Sequence, residues 1–207
     1  MIIVDLGSGN SCRNSWDIIQ EMILGLMSVD THKHEIVLKW QLFEKSGQNI
    51  PLQRELFGKA FRYAWDQGYD TTASVFDLPS LHFLLRFHDQ YGVPFIKIAN
   101  QKKSVDLLEM IPEGIRVIRS VGDPELFNGG GDCMCCVSKY PAKKLEYEKI
   151  FKEDQLRQGI SDHTTNWELY NKYQPELYER HFVLKHDREN LDGGLFSATP
   201  TQWAEIL

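Results

Sequence analysis

The chain has 207 residues, 42% hydrophobic and 25% charged, the balance of a globular protein able to bury a substantial core. Its 29 acidic against 23 basic residues give a formal charge of -6, which argues against the clustered basic surface of a nucleic-acid binder but leaves room for a small anion held by a few converging lysines. No apolar run reaches the ~18 residues needed to span a bilayer, and MIIVDLGSGN enters a strand pattern without a basic leader, so no membrane partner and a cytoplasmic location are expected.

The first predicted strand is IIVDLG (2–7), followed by a helix over SWDIIQEMILGLMS (15–28), where apolar residues recur at helical spacing. EIVLKWQLF (35–43) reads as the second strand, LQRELFGKAFRYAWDQG (52–68) as a helix, DTTASVF (70–76) as the third strand and LPSLHFLLRFHDQYG (78–92) as a helix. Strands then follow at FIKIAN (95–100), RVIRSVG (116–122), DCMCCVS (132–138), RQGISDH (157–163) and YERHFVL (178–184), with TPTQWAEIL left for a final helix. Strands alternating with helices imply parallel pairing through crossovers, and eight of them imply a closed barrel. The fold class expected is therefore α/β, a compact (β/α)8 TIM barrel forming one domain over 1–207. Such barrels typically need about 250 residues, with about 200 as the lower limit, so some outer helices must be shortened. The segment GDPELFNGGGD (122–132) is too short for a full crossover helix; its GGG run reads either as a turn or as a phosphate cradle.

Cys133, Cys135 and Cys136 crowd into DCMCCVSKYP, with Cys12 far away. Zinc sites usually require two separated cysteine knuckles, which are missing here, so a buried strand using cysteine as a small apolar residue is the favoured reading over structural zinc.

In a parallel barrel the active face lies at the C-terminal ends of the strands. Collecting late strand residues gives Asp5, Lys39, Gln41, Ser74, Lys97, Asn100, Ser120, Ser138, Tyr140, Ser161, His163, Glu179 and His181. Alternation puts Lys39 and Gln41 on one face with Leu38 and Trp40 turned outward, pairs Ser138 with Tyr140, and gives His163 and His181 the faces of Ser161 and Glu179. Taken singly, each histidine reads as a core residue with a satisfied N–H, and Lys39 or Lys97 as reaching solvent from a strand end. Taken together on one cavity, the lysines make an anion site and the histidines a metal cradle.

The order of these motifs resembles the sialic acid synthase family, which condenses phosphoenolpyruvate with an N-acetylated amino sugar. VDLGSGN, VLKWQLF, ASVFDLPSLHFL, VPFIKIAN, IRSVG, CVSKYP, GISDHT and YERHFVLK follow in family order from Asp5 to about Trp203. The resemblance implies that His163 and His181 hold a divalent metal, Mn2+ or Mg2+, and that Lys39, Lys97, Ser74, Ser120 and Ser161 bind the phosphate and carboxylate of phosphoenolpyruvate. It assigns Gln41, Tyr140 and Asp192 to an amino-sugar acceptor, places Asn100 and Ser138 at substrate-contacting positions, and gives Asp5, Lys39, Lys97, Glu179 and His181 catalytic roles. The product would be a nonulosonic acid plus phosphate.

The departures are specific. Asp5 is one methylene shorter than the family's glutamate, Asn100 stands for a phosphate-contacting serine, Lys102 for a substrate-contacting glutamate, and Ser138 for an asparagine. Ser8, Gly9 and Asn10 stand where the family has Asn-His. An antifreeze-like C-terminal domain, common in the family, is not expected in 1–207; a homodimer is one assembly that the resemblance allows. Two other readings remain open, a degenerate barrel that binds a sugar or phosphorylated ligand without turnover, and another metal-dependent lyase or aldolase.

Overall fold

The computed structural model describes residues 1–45, 47–128, 132–186 and 190–207, the side chains of 102–105 and 128 excepted. The GGG run at 129–131 and the Lys102 side chain therefore lie outside the described residues.

Eight parallel strands close into a barrel in chain order. They are β1 (Ile2–Gly7), β2 (Ile36–Leu42), β3 (Asp70–Val75), β4 (Ile96–Ile98), β5 (Val117–Val121), β6 (Asp132–Cys136), β7 (Gly159–Asp162) and β8 (Leu177–His181). Ring closure is made by β1 against β8, in register Ile2 to Tyr178 and Asp5 to His181. The first four crossover helices are α1 (Gly9–Cys12), α2 (Trp16–Met27), α3 (Arg54–Asp66) and α4 (Leu78–Tyr91), the last three of 12 to 14 residues. Beyond β4 the covering thins. Short 3-10 segments at Lys102–Met110 and Pro124–Asn128 connect β4 to β5 and β5 to β6; α5 (Lys144–Ile150), α6 (Glu153–Gln158), α7 (Glu168–Tyr173) and α8 (Pro200–Trp203) complete the ring. This is where the barrel is shortened, as its length requires. Among the described residues no helix is long and apolar enough to cross a membrane.

Alternation along the strands builds two apolar regions. Outward residues such as Leu6, Leu38, Trp40 and Ala73 pack under the helices, joined by an aromatic cluster in which Phe87 of α4 meets Phe57 and Phe61 of α3 at 5.2 and 4.9 Å. Inward, Ile3, Val37, Phe95, Ile118, Met134 and Leu177 plug the N-terminal half of the barrel. The inward residues above that plug are polar, and they floor the site.

Only β1 has the bounds read from the sequence; the other strands differ by one to three residues at their ends, and β4 stops at Ile98, leaving Asn100 in the following loop. β6 stops at Cys136, so Ser138 and Tyr140 reach the cavity from the following loop rather than from a strand face. β7 begins at Gly159 because residues 153–158 form α6, stabilised by Gln155 Oε1 accepting from Lys152 N (3.0 Å) and by the Glu153–Arg157 pair one turn apart. Gly159 is required by space. A Cβ there would lie 2.6 Å from the Cys133 carbonyl oxygen and 3.1 Å from Met134 Cγ. Gly159→Ala is expected to cost about 1–3 kcal/mol through overpacking, read as a lowered urea midpoint at unchanged m-value.

Candidate active site

A cavity of about 480 Å3 opens at the C-terminal end of the barrel, and every site residue named from the sequence lines it. Asp5 and Glu179 bring carboxylates; Lys39 and Lys97 bring ammonium groups; Gln41, Ser74, Asn100, Ser120, Ser138, Tyr140, Ser161 and Asp192 bring neutral or acidic hydrogen-bonding groups; His163 and His181 bring imidazoles. The solvent-reaching reading of the lysines is overturned. Lys39 and Lys97 are 1% and 3% exposed, because each finds its counter-charge inside the barrel.

The buried charges interlock. Lys39 Nζ lies 2.8 Å from Asp5 Oδ2, donates to Ser74 Oγ at 2.8 Å and stands 3.9 Å from Glu179 Oε2. Lys97 pairs with Glu179 Oε1, which also accepts from Ser161 Oγ (3.0 Å), while Glu179 Oε2 has no hydrogen-bond partner among the described residues. Asp5 is short but fully engaged, accepting from Gly7 N and from Gln41 Nε2, each at 2.9 Å. Burial alone would raise the pKa of Asp5, yet Lys39 and then His181 outweigh it and hold the carboxyl below its ordinary range. Burial would likewise lower Lys39, but Asp5 and Glu179 hold it above its ordinary value. Lys97 goes the other way. Burial depresses its pKa, the charge of Lys39 adds to the effect, and Glu179 offsets only part of it. An incoming anion would raise the pKa of Lys97 again, so the cavity favours a negatively charged ligand beside it.

The imidazoles of His163 and His181 stand with ring centroids 5.6 Å apart. His163 Nδ1 lies 2.8 Å from the Val137 carbonyl oxygen, so that nitrogen carries the hydrogen and Nε2 keeps a lone pair. His181 Nε2 is 3.6 Å from Asp5 Oδ2, and His181 Nδ1 is buried with no hydrogen-bond partner among the described residues. A lone pair on one ring and an orphaned nitrogen on the other fit a divalent cation. No group of three His, Cys, Asp or Glu side chains joins them among the described residues, so water and substrate oxygens would complete the shell. Imidazole donors favour Mn2+ over Mg2+, which prefers oxygen ligands.

Burial, and then the neighbouring His181 ring, lower the pKa of His163 from 6.5 to about 3. The unfolded chain therefore binds a proton that the folded one refuses between these values, and stability falls as pH drops below 6.5. Between pH 6.5 and 5 the expected loss is about 1–2 kcal/mol, since the unfolded histidine is half protonated at the upper limit and the slope approaches ~1.4 kcal/mol per pH unit below it. Urea midpoints across that range should show this slope in the wild type and a flatter one in His163→Asn.

Asp192, in the loop after β8, reaches the segment that follows β1, where its Oδ2 accepts from Ser8 N (3.0 Å), Ser8 Oγ (2.9 Å) and Ser11 Oγ (3.0 Å). Gly7 makes this approach feasible. Its φ is +74°, and a Cβ would fall 2.7 Å from Asp192 Oδ2. Asn10 braces the loop before α3, donating to Asn49 Oδ1 (3.2 Å) and accepting from Ile50 N (2.9 Å), which brings Asn49 to the cavity. Asn100 links neighbouring loops, accepting from Gly122 N (3.1 Å) and donating to Ser138 Oγ (3.2 Å). The unforeseen lining residues include Asn49, Gln101, Cys136 and Phe196. All four cysteines are free and buried, as expected of apolar filler, but Cys136 also faces the cavity. Phe196 packs edge-on against Tyr140 (5.0 Å) and His181 (5.1 Å) from the loop after β8.

No family model and no curated relative matches this sequence. Solved structures do match, 15 chains among them. One is an N-acetylneuraminic acid (sialic acid) synthetase from Leptospira borgpetersenii serovar Hardjo-bovis in complex with citrate, at a TM-score of 0.75 and 21% identity, covering 99% of this chain and 80% of that one. The chain has the fold of that synthetase barrel. Another is a protein assigned as spore coat polysaccharide biosynthesis protein E from Chromobacterium violaceum ATCC 12472, at a TM-score of 0.73 and 17% identity, covering 99% of this chain and 71% of that one. At these identities the likeness to the two solved structures establishes architecture, and chemistry has to be argued from the cavity.

Proposed function

We propose that this barrel is a sialic acid synthase-like enzyme that condenses phosphoenolpyruvate with an N-acetylated amino sugar in its aldehyde form, giving a nonulosonic acid and phosphate with the help of a divalent metal. The observation that carries the reading is the convergence of two buried lysines, three serines and two imidazoles on one cavity in a barrel shared with a sialic acid synthetase. Lys39 and Lys97, with Ser74, Ser120 and Ser161, would bind the phosphate and carboxylate of phosphoenolpyruvate. Gln41, Tyr140 and Asp192, which line the same cavity, would hold the sugar. Asp5 Oδ2 meets both Lys39 and Gln41 while Oδ1 is held by Gly7 N, so the shortened acid acts on ligand-facing groups rather than standing apart from them.

In the reaction the enol carbon forms a bond to the aldehyde carbon, whose oxygen takes up a proton; water adds at the former enol carbon, the carbon–oxygen bond to phosphate breaks, and phosphate leaves. A divalent ion held by His163 and His181 would supply Lewis acidity toward the aldehyde oxygen. The protein's own contribution is alignment and charge. Lys97 and Lys39 stabilise negative oxygens, and the Glu179 carboxylate faces the positive charge that develops at the enolpyruvyl carbon.

The test is incubation with phosphoenolpyruvate, Mn2+ and a panel of N-acetylated hexosamines, followed by phosphate assay. Release that needs acceptor and metal, and stops on chelation, is the expected result. Tight ligand binding with no release from any acceptor would instead point to a barrel that binds without turnover.

A further inference from the structure

Each cavity histidine follows directly on a buried charged residue that points the other way. Asp162 ends β7 just before His163, Arg180 precedes His181 on β8, and Asp162 and Arg180 are register partners across the ladder. Because successive strand residues face opposite sides, both lie on the outer wall of the barrel. They are 0% and 1% exposed, and nothing in the mechanism above uses them. Buried charges need partners, and the partners here are informative.

Asp162 Oδ1 accepts from Thr164 N and its Oδ2 from Tyr178 Oη, both at 2.7 Å. Arg180 Nη2 donates to the Thr164 carbonyl (2.7 Å), Nη1 donates to the Asn166 carbonyl, and the guanidinium lies 4.5 Å over the Trp167 ring. The two charges approach each other only to 3.7 Å. Their short bonds go instead to residues 164 and 166, the turn that leaves His163. The other side of His163 is tied as well, with its N–H donating to Tyr147 Oη (3.1 Å) and its carbonyl accepting from Ala142 N (2.8 Å). An apolar trio of similar volume would serve stability about as well as a buried ion pair, so stability alone does not call for these charges.

We propose that Asp162, Tyr178 and Arg180 form an outer clamp that sets the spacing and aim of the His163 and His181 rings, as positioning residues for the two-histidine donor pair. This rests on the reading of that pair as a metal holder. The clamp fixes the backbone turn after His163 while the Val137 carbonyl fixes the ring, so the ring is held in one orientation beside His181 rather than sampling several.

Tyr178→Phe tests it by deleting one hydroxyl, with Tyr69→Phe as comparator. Tyr69 Oη also donates to a carboxylate, Asp30 Oδ2 at 2.8 Å, but just before β3, at the far end of the barrel. Two readouts are needed, the Mn2+ dissociation constant by calorimetry without substrate, and the ring nitrogen resonances of His163. Tyr178→Phe should weaken Mn2+ binding about tenfold, the lower end of what outer-shell partners of metal-binding histidines contribute, and should mix the His163 tautomers. Tyr69→Phe should leave both as in wild type. Asp162→Asn, which keeps the bond from Thr164 N but not the charge, should shift both in the same direction as Tyr178→Phe. If Tyr178→Phe and Asp162→Asn behave like Tyr69→Phe in both readouts, the clamp is refuted. A wild type that binds no Mn2+ would refute the metal reading instead, and the ring resonances would then decide the clamp alone, unchanged tautomers in Tyr178→Phe refuting it.

Discussion

Lys97→Met is expected to lower the unfolding free energy by about 3–5 kcal/mol, the usual cost of stranding one member of a buried ion pair. For a chain of this size that corresponds to a fall in melting temperature of roughly 10 °C. The reason is local. Lys97 is the cation that Glu179 Oε1 pairs with; Lys39 is 3.9 Å from the other oxygen and already committed to Asp5 and Ser74. Without Lys97, the Glu179 carboxylate would keep the Ser161 hydroxyl and little else. The double variant Lys97→Met with Glu179→Gln should therefore recover most of the loss, since removing both charges of a buried pair is often near neutral. Chemical denaturation of the four proteins of the cycle measures this. A single variant as stable as wild type would show that the pair is not closed in solution. Phosphoenolpyruvate binding should be lost in the single and the double variant alike, separating the lysine's part in folding from its part in the site.

His181→Ala should abolish turnover while leaving the barrel folded. With no third ligating group joined to His163 and His181 among the described residues, loss of either ring removes half of the donors that the chain offers. Mn2+ affinity should fall by more than the ~10–100-fold that loss of an outer-shell partner costs. Electron paramagnetic resonance of free Mn2+ and the phosphate assay read the two effects separately. Wild-type turnover in this variant would sink the assignment of the pair. Circular dichroism should be unchanged, because the side chain faces the cavity rather than the apolar plug or the helix-covered core.

Much of this architecture was legible in the residues because period-two alternation survives in a barrel whose inner face turns from apolar to polar partway up. Ile3 and Asp5, or Leu177, Glu179 and His181, carry that change within a single strand. What could not be read was pairing over distance. Lys39 meets Ser74 35 residues away, and Lys97 meets Glu179 82 residues away, so burial of either lysine depends on a partner that no local window contains. The loop residues Asn49 and Phe196 were missed for a related reason, since loops carry no periodic signal. Helix α6 was not foreseen, and its last two residues, Arg157 and Gln158, were read as strand, because six residues give too few turns for an apolar stripe, although Glu153 four places before Arg157 was a signal available in the sequence.

The pairing of β1 with β8 also has a consequence for how the protein is made. On the ribosome Ile2–Asp5 are synthesised well before Tyr178–His181, the segment they finally pair with. At translation rates of about 5–20 residues per second, the apolar edge of the first strand waits on the order of 10–30 s for its neighbour. An unpaired strand edge of this kind is a template for wrong partners, so the nascent chain is most exposed to aggregation in that interval. The same event that ends the exposure brings His181 beside Asp5, and so the nascent chain completes its cavity and loses its sticky edge in one step.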